Sequence, residues 1–183
     1  MKITETNLKG CFIIEPRIFE DNRGYFLESY KKNLLSELSG ETTDFVQDNE
    51  SSSSYGVVRG LHMQRAENPQ AKLVRVLSGS ILDVAVDVRK DSPTFGQFIS
   101  IELSGENKKQ LFIPRGFLHG FSVLSKKAVV FYKCDNYYHP PSEDGCNPLD
   151  EQLDIDWKIP RESMILSEKD KNAKPFSEFN PYS

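Results

Sequence analysis

An arginine and a histidine lie three residues apart in GVVRGLHMQ (56–64), a segment that otherwise has the composition of a buried strand. An apolar core requires neither Arg59 nor His62. An imidazole has an ordinary pKa of about 6.5, which suits a general base near neutral pH. His62 can equally be a metal ligand or a histidine that is hydrogen-bonded in the interior, and this segment alone leaves the three roles open.

The spacing of several glycines and histidines matches the signature of metal-binding cupins, which are small jelly-roll barrels. One cupin strand has a Gly, five residues, His-x-His, a Glu and, seven residues on, a second Gly. The other strand has Pro-x-Gly-x-x-His. The matching positions here are Gly56, His62, Gly79, Pro114, Gly116 and His119.

Two of the four metal-ligand positions of that signature hold other residue types. Gln64 replaces the second histidine and Lys72 replaces the glutamate. An ammonium group has no lone pair to donate and repels a cation. His139, in a polar, proline-rich loop, does not restore the site. The sequence therefore predicts a cavity of the cupin type without a metal.

The remaining polar groups suit proton transfer. A buried Lys72 facing His62 would place positive charge where an oxyanion develops. Strand alternation in AVVFYKC (128–134) separates Tyr132 from Phe131, so the phenol can project inward as a hydrogen-bond donor. Together, such a base, acid and cation suit proton abstraction next to a carbonyl, through an enolate. The structural alternatives are a core histidine, a packed tyrosine and a lysine with its head in solvent.

Two relationships stay open at this stage. Arg59 and His62 have opposite strand parity, and a bulge at Gly60 would bring both into one cavity. Asp170 follows Ser167 by three residues, so it either completes a capping box or accepts a hydrogen bond from His62 and fixes its tautomer.

Period-2 alternation dominates the chain. The segments with this pattern are 12–19, 24–30, 56–63, 72–79, 80–89, 96–103, 110–117, 120–125 and 128–134. Many short strands separated by turns predict an all-β fold, a sandwich or a barrel. One short helix is expected over 31–40 and a second from Ser167. The run 50–56 is interpreted as a mobile surface turn or, alternatively, a pocket-lining loop.

Composition narrows the class of protein. The chain has 183 residues and a net charge of −4, without a basic run, which argues against nucleic acid as the main partner. We expect one domain over 1–183, with neither a signal peptide nor a membrane span. Cys11, Cys134 and Cys146 are odd in number and lack CxxC spacing. We therefore expect a reduced, cytoplasmic protein, with Cys11 and Cys134 packed in the core.

The assembled motifs closely resemble the dTDP-4-dehydrorhamnose 3,5-epimerase family, nearly from end to end. The segments that carry the resemblance are 15–30, 45–54, 56–64, 72–96, 111–125, 132–145, 155–157 and 165–170. Several of these segments are long and occur in the order of the family. The resemblance implies a cupin-like jelly-roll β-barrel with short peripheral helices, a homodimer, and an isomerase that needs no cofactor.

The resemblance also implies a reaction. The substrate is dTDP-4-dehydro-6-deoxy-D-glucose, whose C4 ketone acidifies the protons on C3 and C5, and the product leads to dTDP-L-rhamnose. By similarity, His62 is the base supported by Asp170, and Tyr132 is the acid on the opposite face. Lys72 stabilises the enolate oxygen, with Asp83 as a nearby counter-charge or a structural residue.

Further residues are substrate and diphosphate contacts by the same resemblance. They are Arg23, Glu28, Gln47, Asn49, Arg59, Lys72, His119, Glu143 and Lys169. Tyr138 is the expected platform for thymine, with Phe26 on its other side. The chain departs from the family in Gly145–Asp150, where an aromatic-containing Gly-Ile-x-Trp-Asn-Asp stretch is common, and in Met63, which replaces a common phenylalanine.

Three other readings of the sequence compete with the double epimerase. A relative that epimerises only C3 or only C5 would share the same base and acid. A non-catalytic cupin that binds sugar nucleotides would bind dTDP without exchanging protons. A metal-dependent cupin oxygenase is the third, and the replaced ligands argue against it.

Overall fold

The computed structural model describes residues 1–39, 43–65 and 67–183. Its strands are β1 (Lys2–Glu5), β2 (Phe12–Glu15), β3 (Ile18–Asp21), β4 (Gly24–Leu27), β5 (Gln47–Ser54), β6 (Val58–Gln64), β7 (Lys72–Ser78), β8 (Ser80–Asp87), β9 (Phe98–Ser104), β10 (Gln110–Ile113), β11 (Phe117–Val123), β12 (Lys127–Cys134) and β13 (Glu143–Gly145). The α-helices are α1 (Lys32–Ser39) and α2 (Glu168–Lys171), and 3₁₀ turns lie at Pro140–Ser142, Arg161–Ser163 and Phe176–Glu178.

Two antiparallel sheets form the body of the molecule. One has the order β1-β2-β10-β7-β12-β5 and the other β13-β6-β11-β8-β9, while β3 and β4 form a separate hairpin. Strand alternation divides the apolar residues between the faces of these sheets. Val74 and Val76 of β7 meet Ile81 and Ala85 of β8 in the core between the sheets. The all-β prediction is therefore confirmed.

The outer face of each sheet has its own cover. Beyond β8 and β11, a second core contains Trp157, Phe176 and Phe179 from the C-terminal third of the chain. On the outer face of the six-stranded sheet, Leu35 of α1 packs with Leu73 and Phe112. The same part of the chain carries α2, which contacts β6.

The interpretation of 50–56 as a mobile turn is wrong. Residues Gln47–Ser54 form β5, which pairs with β12 along its whole length, from Ser54 opposite Lys127 to Gln47 opposite Cys134. Main-chain hydrogen bonds hold this edge strand, and its side chains are polar, so the segment lacks the apolar alternation that identifies strands. The turn is confined to Tyr55 and Gly56.

Two predicted strands are each divided by a proline. The segment 12–19 splits into β2 and β3 around Pro16, and 110–117 ends as β10 before Pro114. The two expected helices are present as α1 and α2, although Gly40, the expected end of the first, lies outside the described residues. None of the helices in the described ranges has the length and apolar character needed to cross a bilayer.

Candidate active site

A pocket of about 430 Å³ lies between the two sheets. The sequence-predicted residues that line it are Arg59, His62, Lys72, His119, Tyr132, Lys169 and Asp170. They come from β6, β7, β11, β12 and α2. The volume is in the range of small-molecule sites, which are commonly about 300–1,000 Å³.

A bulge in β6 brings Arg59 and His62 to the same pocket. His62 is the register partner of His119 and Arg59 that of Phe121, so β6 uses one more residue than β11 over this stretch. Gly60 within the bulge has a φ of +112°, and a Cβ there would lie 2.6 Å from backbone atoms of β11. The strands approach closely here because Gly60 has no side chain.

His62 and Asp170 form a hydrogen-bonded pair, with 2.6 Å between Nε2 and Oδ1. Burial acts to raise the pKa of Asp170, but hydrogen bonds from His62 and Ser167 and the charges of His62 and Lys169 together lower it. An ionised carboxylate only accepts hydrogen bonds, so Nε2 donates and Nδ1 is the basic nitrogen of the neutral imidazole. The alternative expectation, a capping box at Ser167, is met in part, because the N–H of Asp170 donates to Ser167 Oγ at 3.1 Å.

Lys72 and Tyr132 share the pocket with this pair. Lys72 begins β7 on the same face as Val74 and Val76, and its register partner in β12 is Cys134. Burial lowers the pKa of the Lys72 ammonium, and the charges of Cys134, Asp83 and Glu143 oppose that shift. Burial raises the pKa of the Tyr132 phenol. The site therefore disfavours the charged form of both groups.

A second imidazole–carboxylate pair lies beside the first. His119 Nε2 is 2.7 Å from Asp83 Oδ1, and both residues are buried. Burial lowers the pKa of His119 against the opposing effect of Asp83. The other oxygen of Asp83, Oδ2, is buried without a hydrogen-bond partner among the described residues. Asp83 therefore contacts His119 directly and influences Lys72 through its charge.

A chain of hydrogen bonds connects the pocket to an exposed tyrosine. Lys169 pairs with Glu143 at 2.6 Å, and the Tyr138 hydroxyl donates to the other Glu143 oxygen at 2.9 Å. Gln47 accepts from the Tyr138 N–H at 2.9 Å and donates to Asn49 at 3.0 Å. The ring of Tyr138, 53% exposed, is available for stacking.

Three predicted substrate contacts lie away from this pocket. Arg23 and Phe26 are in the hairpin formed by β3 and β4, where they line a separate surface cleft. Arg23 pairs with Asp21, and Phe26 is 66% exposed. Glu28, after the hairpin, pairs with Lys31 at 2.7 Å. Within one chain, the structure does not bring Arg23, Phe26 or Glu28 to His62.

Gln64, at the former metal-ligand position, connects two loops. Its amide nitrogen donates to the carbonyls of Asn68 at 2.7 Å and Tyr137 at 3.2 Å, and its oxygen accepts from the His139 N–H at 2.7 Å. Within the described ranges, no three His, Cys, Asp or Glu side chains are grouped so that they could hold a metal ion. The role of Gln64 is therefore structural.

Sequence reasoning allowed for a pocket-lining segment at 50–56 but did not single out Ser51 and Ser53 on the inward face of β5. Ser51 lines the pocket, and Ser53 accepts a hydrogen bond from Arg59 Nε at 3.1 Å. The two serines continue the inward column that begins with Gln47 and Asn49. Gln47 and Asn49 had been identified by the family resemblance, and Ser51 and Ser53 follow them at intervals of two residues. That spacing was the signal that could have identified the serines. Ile165, which lines the same pocket, was also missed, and it carried no such signal.

Comparison with known proteins decides the family. The family model of dTDP-4-dehydrorhamnose 3,5-epimerase matches residues 5–178. The chain belongs to the dTDP-4-dehydrorhamnose 3,5-epimerase family. A curated epimerase with that name, from Methanothermobacter thermautotrophicus, is 49% identical over 181 residues, which are 98% of this chain and 96% of the relative.

Solved structures of epimerases agree with this assignment. The dTDP-4-dehydrorhamnose 3,5-epimerase of Elizabethkingia anophelis has a TM-score of 0.95 and 56% identity, with 98% of both chains covered. A dTDP-6-deoxy-D-glucose-3,5-epimerase from Legionella pneumophila, in complex with dTDP-4-keto-L-rhamnose, has a TM-score of 0.94 and 49% identity. The match covers 100% of this chain and 98% of the Legionella pneumophila chain. The cupin-like jelly roll predicted for this epimerase-family chain is confirmed.

Proposed function

We propose that this protein converts dTDP-4-dehydro-6-deoxy-D-glucose into dTDP-4-dehydro-L-rhamnose, by epimerisation at C3 and C5, within dTDP-L-rhamnose biosynthesis. The observation that carries the proposal is the His62–Asp170 pair, which lines one pocket with Lys72 and Tyr132. Similarity to double epimerases over nearly the whole chain supports the choice of substrate.

The chemistry follows from these four side chains. His62 Nδ1 removes the proton from the carbon next to the C4 ketone, and the C–H electron pair moves into an enolate. Lys72 stabilises the negative oxygen, as a positive charge in a low-dielectric site does most effectively. Tyr132 then delivers a proton to the opposite face of the carbon, which inverts it. His62 passes its proton to solvent, Tyr132 is reprotonated from solvent, and no cofactor is required.

The rim residues account for binding of the nucleotide in this proposal. Arg59 suits the diphosphate because its planar guanidinium can bind two oxygens at once. His119, held by Asp83, and the pair of Glu143 and Lys169 border the sugar. Gln47 and Asn49 complete the contacts, and Tyr138 stacks on thymine.

We propose that the enzyme works as a homodimer in which the hairpin of β3 and β4 reaches the pocket of the other subunit. Support comes from Arg23, Phe26 and Glu28, expected substrate contacts that lie away from His62 in their own chain.

The chain 1–183 is taken as one catalytic domain. A cytoplasmic location is proposed because all three cysteines are free thiols, as expected in a reducing compartment.

Isotope exchange in D₂O tests the reaction. Incubation with the 4-keto sugar nucleotide is expected to place deuterium at both C3 and C5, measured by NMR of the product. Label at a single carbon would indicate a single-position epimerase instead. The absence of label together with tight dTDP binding would indicate a non-catalytic binding protein. Either result would contradict the double epimerase.

The His62→Ala variant tests the base. We expect turnover to fall by roughly 10²–10⁴-fold, because general-base catalysis contributes about that much. Binding of dTDP, measured by calorimetry, should change little, since the effect is confined to the transition state. His139→Ala is the matched control, because His139 bonds to Ser142 in a loop outside the pocket lining. Retained turnover in His62→Ala would contradict the assignment.

A further inference from the structure

The divergent segment Gly145–Asp150 is attached to the strand that carries the proposed base. Gly145 is the register partner of His62 in the pairing of β13 with β6. Cys146 then exchanges two main-chain hydrogen bonds with Leu61, at 3.2 and 3.3 Å. This part of the segment is therefore fixed relative to the backbone of His62.

The partner carboxylate, by contrast, is carried by a helix of one turn. Helix α2 has four residues, Glu168–Lys171, and a helix of this length is not stable by itself because helix nucleation is unfavourable. Ser167 caps its N-terminus. At its C-terminus the Asn172 N–H donates to the Glu168 and Asp170 carbonyls, and the Lys171 carbonyl accepts from a distant part of the chain. Tertiary contacts therefore decide where Asp170 lies.

Asn147 supplies such a contact at the C-terminal end of α2. Its side-chain Nδ2 donates to the Lys171 carbonyl at 3.3 Å, and its main-chain N–H donates to the Lys174 carbonyl at 2.9 Å. Its Oδ1 accepts from the Leu149 N–H at 2.8 Å, which shapes the turn of the segment. One residue thus connects the divergent segment to the last residue of the helix.

The segment itself is anchored in the core. Cys146 and Trp157 are 0% and 1% exposed, and Trp157 Nε1 donates to the Pro148 carbonyl at 2.7 Å. Asn147 therefore projects from a rigid base, as a residue that holds a helix in place must do.

We propose that Asn147 is a positioning residue for the proton-transfer pair. By capping α2 from a segment that is also bonded to β6, it keeps the Asp170 carboxylate within hydrogen-bond distance of His62 Nε2. Asn147 acts through Asp170 and does not touch the substrate. The inference rests on the proposed function, in which His62 is the base.

Two substitutions separate the capping from the shape of the turn. Asn147→Asp keeps the oxygen that accepts from Leu149 but removes the donor to Lys171, and it adds negative charge near the helix C-terminus, which is unfavourable. Asn147→Ala removes both contacts. Both variants should lower kcat by roughly 10- to 100-fold, the cost of a small misplacement of a catalytic group. The Kd for dTDP should change less than about twofold.

A double-mutant cycle with Asp170→Asn shows whether Asn147 acts through Asp170. Asp170→Asn alone is expected to lower kcat strongly. In that background, Asn147→Asp should lower kcat by less than about twofold, because coupled residues are not additive. In the wild-type background, Asn147→Asp should also remove or broaden the downfield NMR signal of the proton between His62 and Asp170.

Asn107→Ala is the matched control. Asn107 makes bonds of the same kinds, accepting from the Ser104 and Lys109 N–H groups and donating to the Glu102 carbonyl, in the turn between β9 and β10. It should lower thermal stability without lowering kcat, in either background.

The possible failures are distinguishable. If Asp170→Asn keeps the wild-type kcat, the proposed proton-transfer pair is wrong. If Asp170→Asn lowers kcat but Asn147→Asp has no effect, or lowers kcat equally in both backgrounds, the pair stands and the positioning role of Asn147 is overturned.

Discussion

Lys72 and Tyr132 respond to the same buried environment in opposite directions. Burial lowers the pKa of the lysine and raises that of the tyrosine, because in each case it disfavours the charged form. The proposed mechanism needs a charged Lys72 and a protonated Tyr132. Burial therefore supports the acid and opposes the cation. The charges of Cys134, Asp83 and Glu143 counteract the desolvation and so favour the charged form that the proposed role of Lys72 requires.

The pH dependence of kcat/KM should reflect this difference. Activity is present below the folded-state pKa of Lys72 and is lost as the pH rises through that value, which lies below the ordinary value for lysine. Burial shifts the pKa of Lys72 down and that of Tyr132 up, and we therefore expect the first alkaline loss to come from Lys72. Lys72→Arg should move this loss to higher pH, because a guanidinium stays charged up to about pH 12. The test is the pH profile of the variant.

The control for this profile is Lys126→Arg, which changes an exposed lysine outside the pocket lining. Its alkaline limb should coincide with that of the wild type. If the alkaline limb of Lys72→Arg coincides with that of the wild type, another group titrates there. That result would contradict the proposed role of Lys72 as the cation that stabilises the enolate.

At the scale of elements, the contact between β6 and β11 sets the geometry of the site. These strands carry His62 and His119 as register partners, and they approach closely at Gly60 and Gly120. The bulge reverses the parity between Arg59 and His62, so both reach one pocket. A regular strand would send one of them to the opposite face of the sheet.

Gly60→Ala tests this contact. A Cβ at Gly60 would lie 2.6 Å from the backbone of β11, where no side chain can move aside. We expect the free energy of unfolding to fall by about 2–3 kcal/mol, with loss of turnover, because steric crowding adds to an unfavourable φ. Chemical denaturation measures this effect.

Gly24→Ala is the matched control for Gly60→Ala. Gly24 also has a positive φ, of +128°, but a Cβ there meets nothing within 4 Å. The difference in unfolding free energy between the two variants gives the cost of steric crowding, because both variants share the cost of a side chain at a positive φ. Equal losses would show that the approach of the two strands is not critical.

At the scale of the whole molecule, the hairpin of β3 and β4 is separate from the two main sheets. It forms its own two-stranded sheet, and Phe19, Tyr25 and Phe26 on it are 47%, 55% and 66% exposed. Phe19 and Phe26 are register partners and form one exposed aromatic patch, which is typical of an interaction surface. In the proposed dimer this surface contacts the other subunit, because the hairpin would lie at that subunit's pocket.

Complementation between two inactive chains tests this arrangement. His62→Ala and Arg23→Ala chains, given different tags, are co-expressed and the mixed dimer is purified. If Arg23 acts on the pocket of the other subunit, one site in the mixed dimer has both native residues. Activity should then return to roughly half of the wild-type value, as two-fold symmetry requires. A mixed dimer as inactive as its parents would place Arg23 in its own subunit's site.

The local features of this protein could be predicted from the amino-acid sequence. Alternation located most strands and placed Tyr132 on the inward face of β12, because side-chain direction in a strand follows from position alone. The spacing of Gly56, His62 and His119 indicated the jelly-roll scaffold, and the glycine at position 60 suggested the bulge. Those inferences need only neighbours along the chain.

Contacts between distant groups depend on how the whole chain folds. His62 and Asp170 are 108 residues apart in the chain, yet they form one hydrogen bond. The polar strand β5 exists because β12 offers it a partner, and no property of its own side chains predicted it. Asn147 likewise reaches α2 only in the folded chain. Packing of whole elements brings these groups together, and local periodicity contains no information about it.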